Sequence, residues 1–307
     1  MTAVPKRLKR EPGWFRHSAA ARRHLDPIPD VGGGSGGVWA VGMVRDEADI
    51  IGTVVRHLVG QGVQRVLIAD NLSTDGTHEI LEDLAKTHPV TVLMDRLPDY
   101  YQGEKTTLLA RAAARAGASW VVPFDADEIW LAPSGSVVEW LDGCDAAVVQ
   151  APMFNHVPTT TDDLSEPDPV RRLRWRKTQP NRLHKVAFRA QRRARVAYGN
   201  HGVSRSGTRT AGLQIRHFPY RSEEQFVRKL RQGAAALNAT DLTDQIGKVW
   251  RGLGARDDDG LRDAWRELVE TQNLPFEWWV PSKGLVEDPV SPGDLTLGPE
   301  PLGPEMS

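Results

Sequence analysis

Short apolar runs alternate with amphipathic segments through the first half of this 307-residue chain, and this alternation constrains the fold more than any other feature. The runs are rich in Val, Ile and Leu, which is typical of strands buried on both faces of a sheet. Repeats of strand, helix and strand produce a parallel sheet with right-handed crossovers. The predicted strands are residues 38–44, 65–69, 90–94 and 119–124, and the predicted helices are residues 47–60, 76–86 and 104–117.

The second half of the chain is less regular. Its apolar runs predict three more strands, which we expect to extend the sheet as antiparallel additions. These strands are residues 146–154, 184–190 and 212–218, and two helices are predicted at residues 222–239 and 259–270. The predicted fold class is therefore α/β, with a Rossmann-like, mostly parallel sheet flanked by helices and antiparallel strands in the C-terminal half.

Composition divides the chain into three parts. The first 30 residues hold seven Lys or Arg against three acids, and the run GGGSGG that follows has no side chains to pack. We therefore expect residues 1–37 to form a basic flexible arm and linker. Residues 285–307 hold five prolines, five acids and no base, which predicts a disordered acidic tail over 283–307. The folded body is then residues 38–282.

Charge and cysteine content exclude several classes of protein. The formal charge is −1, from 39 Lys and Arg against 40 Asp and Glu, so it does not favour a nucleic-acid partner. The one cysteine, Cys144, excludes a disulfide framework and a multi-cysteine zinc site. No run of about 18 apolar residues is present to span a bilayer, and the N-terminus lacks the apolar core of a secretory signal. A cytoplasmic protein is predicted.

Acidic and amide side chains follow three of the predicted strands. In a parallel sheet the carboxyl ends of the strands share one rim, where ligands bind. Helix capping is a simpler explanation for Asp46 and Asp75, and it stays open at this point. The residues at the three strand ends are Arg45, Asp46 and Glu47; Asp70 and Asn71; and Asp125, Asp127 and Glu128.

The run DADE after the fourth strand is harder to explain by capping. Alternate residues of an extended chain point the same way, so Asp125 and Asp127 are expected to converge while Glu128 faces elsewhere. Two hard carboxylates suit Mg²⁺ or Mn²⁺, which leave positions for phosphate oxygens. The sequence therefore predicts a metal and diphosphate site here, with solvated turn acids as the alternative.

Three blocks in combination resemble nucleotide-sugar-dependent glycosyltransferases of the GT-A fold, close to family 2 and family 92. The blocks are VGMVRDEADII (41–51), IADNLSTDGTHEIL (68–81) and WVVPFDADEIWL (120–131). The resemblance extends more thinly over HKVAFRA (184–190), GNHG (199–202) and IRHFPYRSEEQFVRKL (215–230). It implies a GT-A domain with a nucleotide-binding half at 38–131 and an acceptor half at 132–282.

The resemblance also implies roles for individual residues. The end of the first strand would contact the nucleotide, and the pair after the second strand would hold the base and ribose. Asn71 stands where Asp is commoner, so the identity of the nucleobase is left open. The matched residues are Val44, Arg45, Glu47, Asp70 and Asn71 for the nucleotide, Asp125 for the nucleotide and metal, and Asp127 and His217 for the metal.

Residues 171–195 contain eleven Lys or Arg and no acid. A solvated basic face and a phosphate clamp both explain this run. Lys185 is the preferred phosphate-binding member, and Lys105, near the start of the third helix, is a second candidate for phosphate contact. Both are expected to help bind the nucleotide.

An inverting transfer needs a base within hydrogen-bond reach of the acceptor hydroxyl. Glu128 lies next to the metal site and points away from its axis, so it is the first candidate. His201, in the turn-like run GNHG, is the second. Asp162 and Asp163 follow.

These observations predict a metal-dependent glycosyltransferase that uses Mn²⁺ or Mg²⁺ and a nucleotide-sugar donor, with inversion implied by the resemblance. The acceptor would be a glycan, a lipid-linked molecule or a small molecule. One alternative is a nucleotidyltransferase acting on sugar phosphates, although the Gly-rich run precedes the first strand instead of following it. Another is a non-catalytic polyanion binder. A further hypothesis is that the basic arm docks at the inner face of a membrane.

Overall fold

The first half of the chain forms the parallel sheet that its apolar runs predict. The computed structural model describes residues 13–29, 36–243, 246–275, 280, 284–291 and 295. The first elements are α1 (Trp14–His24), β1 (Val38–Val44), α2 (Ile51–Gly60), β2 (Arg65–Asp70), α3 (Thr77–Thr87), β3 (Val90–Met94), α4 (Gln102–Arg115) and β4 (Trp120–Phe124). Strands pair in parallel in the order β3–β2–β1–β4.

Burial explains why these segments take these forms. Every residue of β4 is buried, and β1 is buried except at Met43, as expected for strands covered on both faces. Helix α2 buries one apolar stripe that includes Val54 and Leu58. Gly42 allows β1 and β4 to approach closely, because a Cβ there would lie 2.9 Å from the Phe124 ring.

The second half extends the same sheet with antiparallel pairing, as predicted. Strand β8 is antiparallel to β4 and to β6, while β10 is parallel to β6 and antiparallel to β5. The elements are β5 (Glu128–Leu131), α5 (Val137–Asp142), β6 (Val148–Asn155), α6 (Pro169–Arg172), β7 (Trp175–Lys177), β8 (His184–Arg189), β9 (Arg209–Ala211), β10 (Gln214–His217), α7 (Glu223–Asn238), α8 (Lys248–Gly254), α9 (Asp258–Thr271) and β11 (Leu285–Glu287).

The chain does not stay extended through the DADE run. It turns at 125–127 and re-enters the sheet as β5, which begins at Glu128. The argument from alternating side chains is therefore wrong for this segment. The turn, and not an extended strand, places Asp125 and Asp127.

Part of the predicted flexible arm is a packed helix. α1 lies against α4 and buries Trp14, His17 and Ala21. Beyond it, Leu25 bridges to Asp95 after β3. The prediction weighed the arginines of this segment and overlooked the apolar spacing that lets one helix face pack. Residues 1–12 and 30–35, which include most of the Gly-rich linker, lie outside the described residues.

Part of the predicted disordered tail is also ordered. β11 pairs antiparallel with β7, inside the basic stretch. Glu287 lies 2.8 Å from Arg174, and Asp288 lies 2.6 Å from Arg176. The tail thus supplies acids that neutralise part of the basic stretch. The sequence pattern did not predict this pairing, because the partners are far apart along the chain. The tail residues 296–307 lie outside the described residues.

Helices α7, α8 and α9 share an apolar cluster that includes Phe226, Leu253 and Leu268. Close approach of α7 and α8 depends on Gly233, where a Cβ would lie 2.5 Å from the Trp250 indole. This contact sets the α7–α8 pair against the rim of the sheet. Within the described ranges, no helix is both long enough and apolar enough to cross a membrane.

Candidate active site

A cavity of about 440 Å³ opens at the carboxyl ends of the parallel strands. It lies where ligands bind in sheets of this kind, and α7 and α8 form its opposite wall. Nine of the fourteen candidate site residues named from the sequence line it. They are Val44, Arg45, Glu47, Asn71, Asp125, Asp127, Lys185, His201 and His217.

The loops after β1 and β2 are tied together, which makes this part of the rim rigid. Asp46 has a φ of 52° and accepts a 2.6 Å hydrogen bond from the Thr74 backbone N–H. In return, the Asp46 N–H donates to the Ser73 hydroxyl at 2.9 Å. The Glu47 N–H donates to the Thr77 hydroxyl at 2.8 Å. Asp46 therefore joins the two loops and does not cap α2, whose N-cap residue is Ile50.

Asn71 presents one end of its amide to the cavity. Its nitrogen donates to the Asp95 carboxylate at 2.8 Å and to the Leu97 carbonyl at 2.7 Å. These interior acceptors hold the amide nitrogen, so the amide oxygen is the group left for a ligand.

Asp70 lies behind the cavity instead of lining it. It is fully buried, and its carboxylate accepts from the Ser73 N–H at 3.2 Å. The second carboxylate oxygen lies 3.1 Å from His78 Nδ1. The predicted contact with base and ribose is therefore not supported by its position, because Asp70 stabilises the turn after β2.

Lys105 is also outside the cavity lining. The first turns of α4 are packed inside the protein, and the Lys105 ammonium is fully buried. It lies 2.6 Å from the Asp95 carboxylate and donates to the Leu97 and Asp99 carbonyls at 2.7 and 2.9 Å. Burial lowers the pKa of Lys105, while Asp95 opposes that shift. This lysine holds the loop before α4, so its predicted phosphate contact is wrong for this structure.

Asp125 is surrounded by hydrogen-bond donors. Gln102 Nε2 and Asn200 Nδ2 each donate to one carboxylate oxygen at 2.9 Å. The other oxygen accepts from the Lys185 ammonium. A carboxylate with three protein donors is positioned firmly and has little remaining capacity for a metal ion.

Glu128 faces away from the cavity. It is fully buried, lies 2.7 Å from Lys185 and accepts from the Trp130 indole at 3.2 Å. Burial by itself would lower the pKa of Lys185, but the charges of Asp125 and Glu128 hold that pKa above its usual value. The position of Glu128 fits a residue that holds Lys185. It does not fit contact with an acceptor hydroxyl.

Two cations that the sequence reasoning missed come from the region after β10. Lys229, on α7, lies 2.6 Å from Asp127 and 3.2 Å from Glu47. The buried Arg221 pairs with Glu47 and lies 2.7 Å from Asp49. The available signal was the block at residues 215–230, where three basic residues follow a strand end within a few turns.

The structure brings two of the three predicted metal ligands, Asp127 and His217, to face each other, while Asp125 is bound by other side chains. Within the described part of the chain, no three His, Cys, Asp or Glu side chains come together as a metal site. Asp127 and His217 approach each other, with 3.6 Å between Oδ1 and Nε2. Burial disfavours ionised Asp127, but Lys229 and His217 hold its pKa well below the usual value. Asp127 therefore stays a carboxylate.

The partners of His217 decide whether this pair fits a divalent cation. His217 Nδ1 lies 2.8 Å from the Asn155 amide oxygen, which also accepts from Asn181 at 2.9 Å. Nδ1 therefore carries a hydrogen, and Nε2 is the ring nitrogen that faces Asp127. Mn²⁺ or Mg²⁺ placed between the two groups would take an Asp127 oxygen and the Nε2 lone pair as ligands, and phosphate oxygens and water would complete its shell.

His201 is a neutral imidazole on the cavity wall. Its Nδ1 donates to the His184 carbonyl at 2.9 Å, which leaves Nε2 as an acceptor. Burial lowers the pKa of His201 to about 4, and the Lys185 charge acts in the same direction. Asp162 and Asp163 bond to their own loop through Thr159 and Ser165, and they lie outside the cavity lining.

An aromatic wall completes the cavity. Tyr100 contacts Trp250 edge-to-face with 5.2 Å between ring centroids, and its ring lies 6.3 Å from that of Tyr198. The Tyr100 hydroxyl donates to Gln102 at 2.9 Å, which links this wall to Asp125. None of these rings followed from a sequence motif, because they are far apart along the chain.

A mostly parallel sheet with an acidic cavity at its strand ends is the arrangement in which α/β proteins bind their ligands. The model of the family described as glycosyl transferase family 2 matches residues 43–197, just over half of the chain. The chain belongs to this family and is a glycosyltransferase. Membership decides against the two alternatives named from the sequence, the nucleotidyltransferase and the non-catalytic polyanion binder.

Similarity to solved structures is weaker. S. aureus TarS 1–349 in complex with UDP is 13% identical, with 68% of each chain covered and a TM-score of 0.38. The same protein in complex with UDP-GlcNAc is 12% identical, with 77% of this chain and 74% of that chain covered and a TM-score of 0.39. A 4-diphosphocytidyl-2C-methyl-D-erythritol synthase from Anaerococcus prevotii is 11% identical over 50% of this chain and 71% of that chain, with a TM-score of 0.28. No curated protein matches the sequence.

Proposed function

We propose that this glycosyltransferase moves a sugar from a nucleotide-diphosphate-sugar to an acceptor hydroxyl, with a divalent cation and with inversion at the anomeric carbon. The observation that carries the proposal is one cavity at the strand ends in which carboxylates and lysines from both halves meet. Such a cavity suits a ligand that is itself anionic and cation-bound.

The nucleotide end of the donor would lie along the rim formed by β1 and β2. Val44, Arg45 and Glu47 line this side, and the Asn71 amide oxygen is available to a base N–H group. Because Asp46 ties the two loops together, this surface is formed before the ligand arrives. Preorganised groups bind without a further ordering cost.

The diphosphate would lie near Asp127, where Lys185 and Lys229 supply positive charge. Asp127 and His217 are the residues that would hold Mn²⁺ or Mg²⁺. The cation would stabilise the negative charge that develops on the departing diphosphate. Asp125 would act through Lys185, Gln102 and Asn200, which it holds in place.

His201 is the residue we assign as the base. In an inverting transfer the acceptor oxygen forms a bond to the anomeric carbon while the bond from that carbon to the diphosphate oxygen breaks. The acceptor proton passes to His201 Nε2, the nitrogen that carries the lone pair. The His184 carbonyl keeps the ring in the tautomer that accepts a proton. Inversion itself rests on the resemblance to family 2.

A thermal-shift screen of UDP, GDP, CDP and ADP, each with and without Mn²⁺, tests the donor and metal together. A ligand that binds only the native state raises the melting temperature. We expect at least one diphosphate to stabilise the protein with Mn²⁺ and to lose this effect in Asp127→Asn. The matched control is Asp142→Asn, an exposed acid on α5. Equal stabilisation with and without the metal would refute the metal dependence.

A further inference from the structure

Seven arginines from three chain segments form a basic surface, which we name the arginine patch. α1 contributes two, the last turns of α4 contribute two, and the segment after β8 contributes three. All are exposed or half-buried at the surface. The patch consists of Arg22, Arg23, Arg111, Arg115, Arg192, Arg193 and Arg195.

Four of these side chains, those of Arg22, Arg111, Arg115 and Arg195, are close enough for their charges to interact. Burial lowers the pKa of Arg111, and the charges of Arg195, Arg22 and Arg115 lower it further. Arg111 also donates to the Ala194 carbonyl at 2.8 Å, which connects α4 to the segment after β8. The three segments therefore form one surface. Grouping like charges costs free energy unless an anion offsets it.

Six members of the patch, all except Arg195, make no ion pair with any described acid. Exposed arginines on α7 and α9 differ, because Arg231 lies 2.6 Å from Asp258 and Arg262 lies 3.2 Å from Asp259. In a chain of formal charge −1, such a segregated positive face indicates an anionic partner.

The outer face of α1 adds an apolar side chain to this charge. Phe15 is 70% exposed and shares one helical stripe with Ala19 and Arg22. The opposite face, with Trp14 and Ala21, is buried against the protein, so this orientation of α1 is set by packing. A large aromatic residue beside several arginines is the combination that inserts at a lipid headgroup boundary.

We propose that the arginine patch and Phe15 dock this enzyme on an anionic lipid surface. Each Arg near such a surface contributes electrostatic attraction, and four to eight bases are sufficient for recognition of anionic lipids. α4 runs from Gln102 in the cavity wall to Arg115 in the patch, a rise of roughly 20 Å. Arg115 therefore lies well away from the cavity wall, and docking through the patch does not depend on the proposed donor or metal.

Vesicle co-sedimentation of the full chain tests this proposal. Vesicles of phosphatidylcholine alone are compared with vesicles that contain roughly 30% phosphatidylserine. We expect binding to the anionic vesicles only. A triple variant, Arg22→Gln with Arg115→Gln and Arg193→Gln, should bind roughly 100-fold more weakly, and Phe15→Ala roughly tenfold more weakly.

The matched control removes three arginines that already have acidic partners: Arg231→Gln, Arg262→Gln and Arg266→Gln. This variant has the same net charge as the patch variant, and it should bind like the wild type. Equal loss in the two triple variants, or wild-type binding by the patch variant, would overturn the proposal. So would retention on duplex DNA at the same salt without binding to anionic vesicles. Circular dichroism of each variant confirms that it is folded.

Discussion

The two halves of the molecule bring opposite charges to the same cavity. The parallel half supplies the carboxylates of Glu47, Asp125 and Asp127, each directly after a strand or in the turn that follows it. The second half supplies Lys185, Arg221 and Lys229 as their partners. These partners lie between 60 and 182 residues away along the chain.

The difference shows how such a site is stabilised. Burying a carboxylate without a partner would cost several kcal/mol of desolvation free energy, and so would burying an unpaired lysine or arginine. Neither half therefore carries its charges at low cost by itself. The carboxylates of the first half and the cations of the second half depend on each other, and Asp127→Asn and Arg221→Met each remove one side of that pairing.

The largest effect is expected on the acidic side. Asp127→Asn removes the carboxylate that pairs with Lys229 and faces His217. We expect the transfer rate to fall by about 10³-fold, since charge stabilisation in such sites has this magnitude. Rates are measured with the donor found by the binding screen, over a Mn²⁺ titration. Asp142→Asn should leave the rate unchanged, and a loss below tenfold in Asp127→Asn would remove this residue from the reaction.

The cationic side should show a loss of stability. Arg221→Met removes the buried guanidinium that pairs with both Glu47 and Asp49 and leaves Glu47 with Lys229 alone, so the free energy of unfolding should fall by about 3 kcal/mol. Urea unfolding measures it. Arg231→Met breaks an exposed pair with Asp258 and should cost much less, because solvent screens such a pair. Similar losses for both variants would contradict the claim that the halves depend on each other at the cavity.

The two candidates for the catalytic base lie in different halves of the molecule, Glu128 in the first and His201 in the second, so kinetics can distinguish them. His201→Gln should lower kcat by about 10²-fold with little change in donor affinity, because His201 is expected to accept the proton. Glu128→Gln should lower kcat less, since Glu128 lies behind the cavity and only holds Lys185, which lines it. Steady-state kinetics at pH 7 decides between them. A larger loss for Glu128→Gln would return the base to the parallel half.

The smallest effect concerns a buried histidine in the second half. His156 is fully buried, bonds to the Leu173 carbonyl at 2.7 Å, and burial lowers its pKa to about 3. The unfolded chain therefore binds this proton more readily than the folded one below about pH 6.5. The stability contributed by neutral His156 is complete above that pH and decreases as pH falls toward 3. Between pH 7 and pH 5 the loss from His156 should be roughly 2 kcal/mol.

Urea unfolding at the two pH values measures this loss. His156→Gln should remove that part of the pH dependence while it lowers stability at pH 7. His24→Gln is the control, because His24 is only half-buried although its Nδ1 also bonds to a carbonyl. An unchanged pH dependence in His156→Gln would show that this histidine does not titrate as its burial requires.

Sequence reasoning succeeded where the interactions are local. The positions of the strands in the parallel half followed from apolar runs, and the rim residues followed from strand ends. It failed where burial decided the role of a residue. Lys105 and Asp70 have the right type and position along the chain, yet both hold loops behind the cavity. The signal for α1 was present in the spacing of Trp14 and Ala21 but was hidden by neighbouring arginines.

By itself, the sequence determined a parallel sheet, an acidic rim and membership of a glycosyltransferase family. These features depend on neighbouring residues of the chain, since buried strands are runs of apolar residues and the rim residues directly follow them. Only the tertiary structure decided which acids face the cavity, which lysines neutralise them and which histidines line it. The physical reason is that charge pairing and desolvation act through space. A residue such as Lys229 has its effect on Asp127 across 102 positions of chain, which no local pattern records.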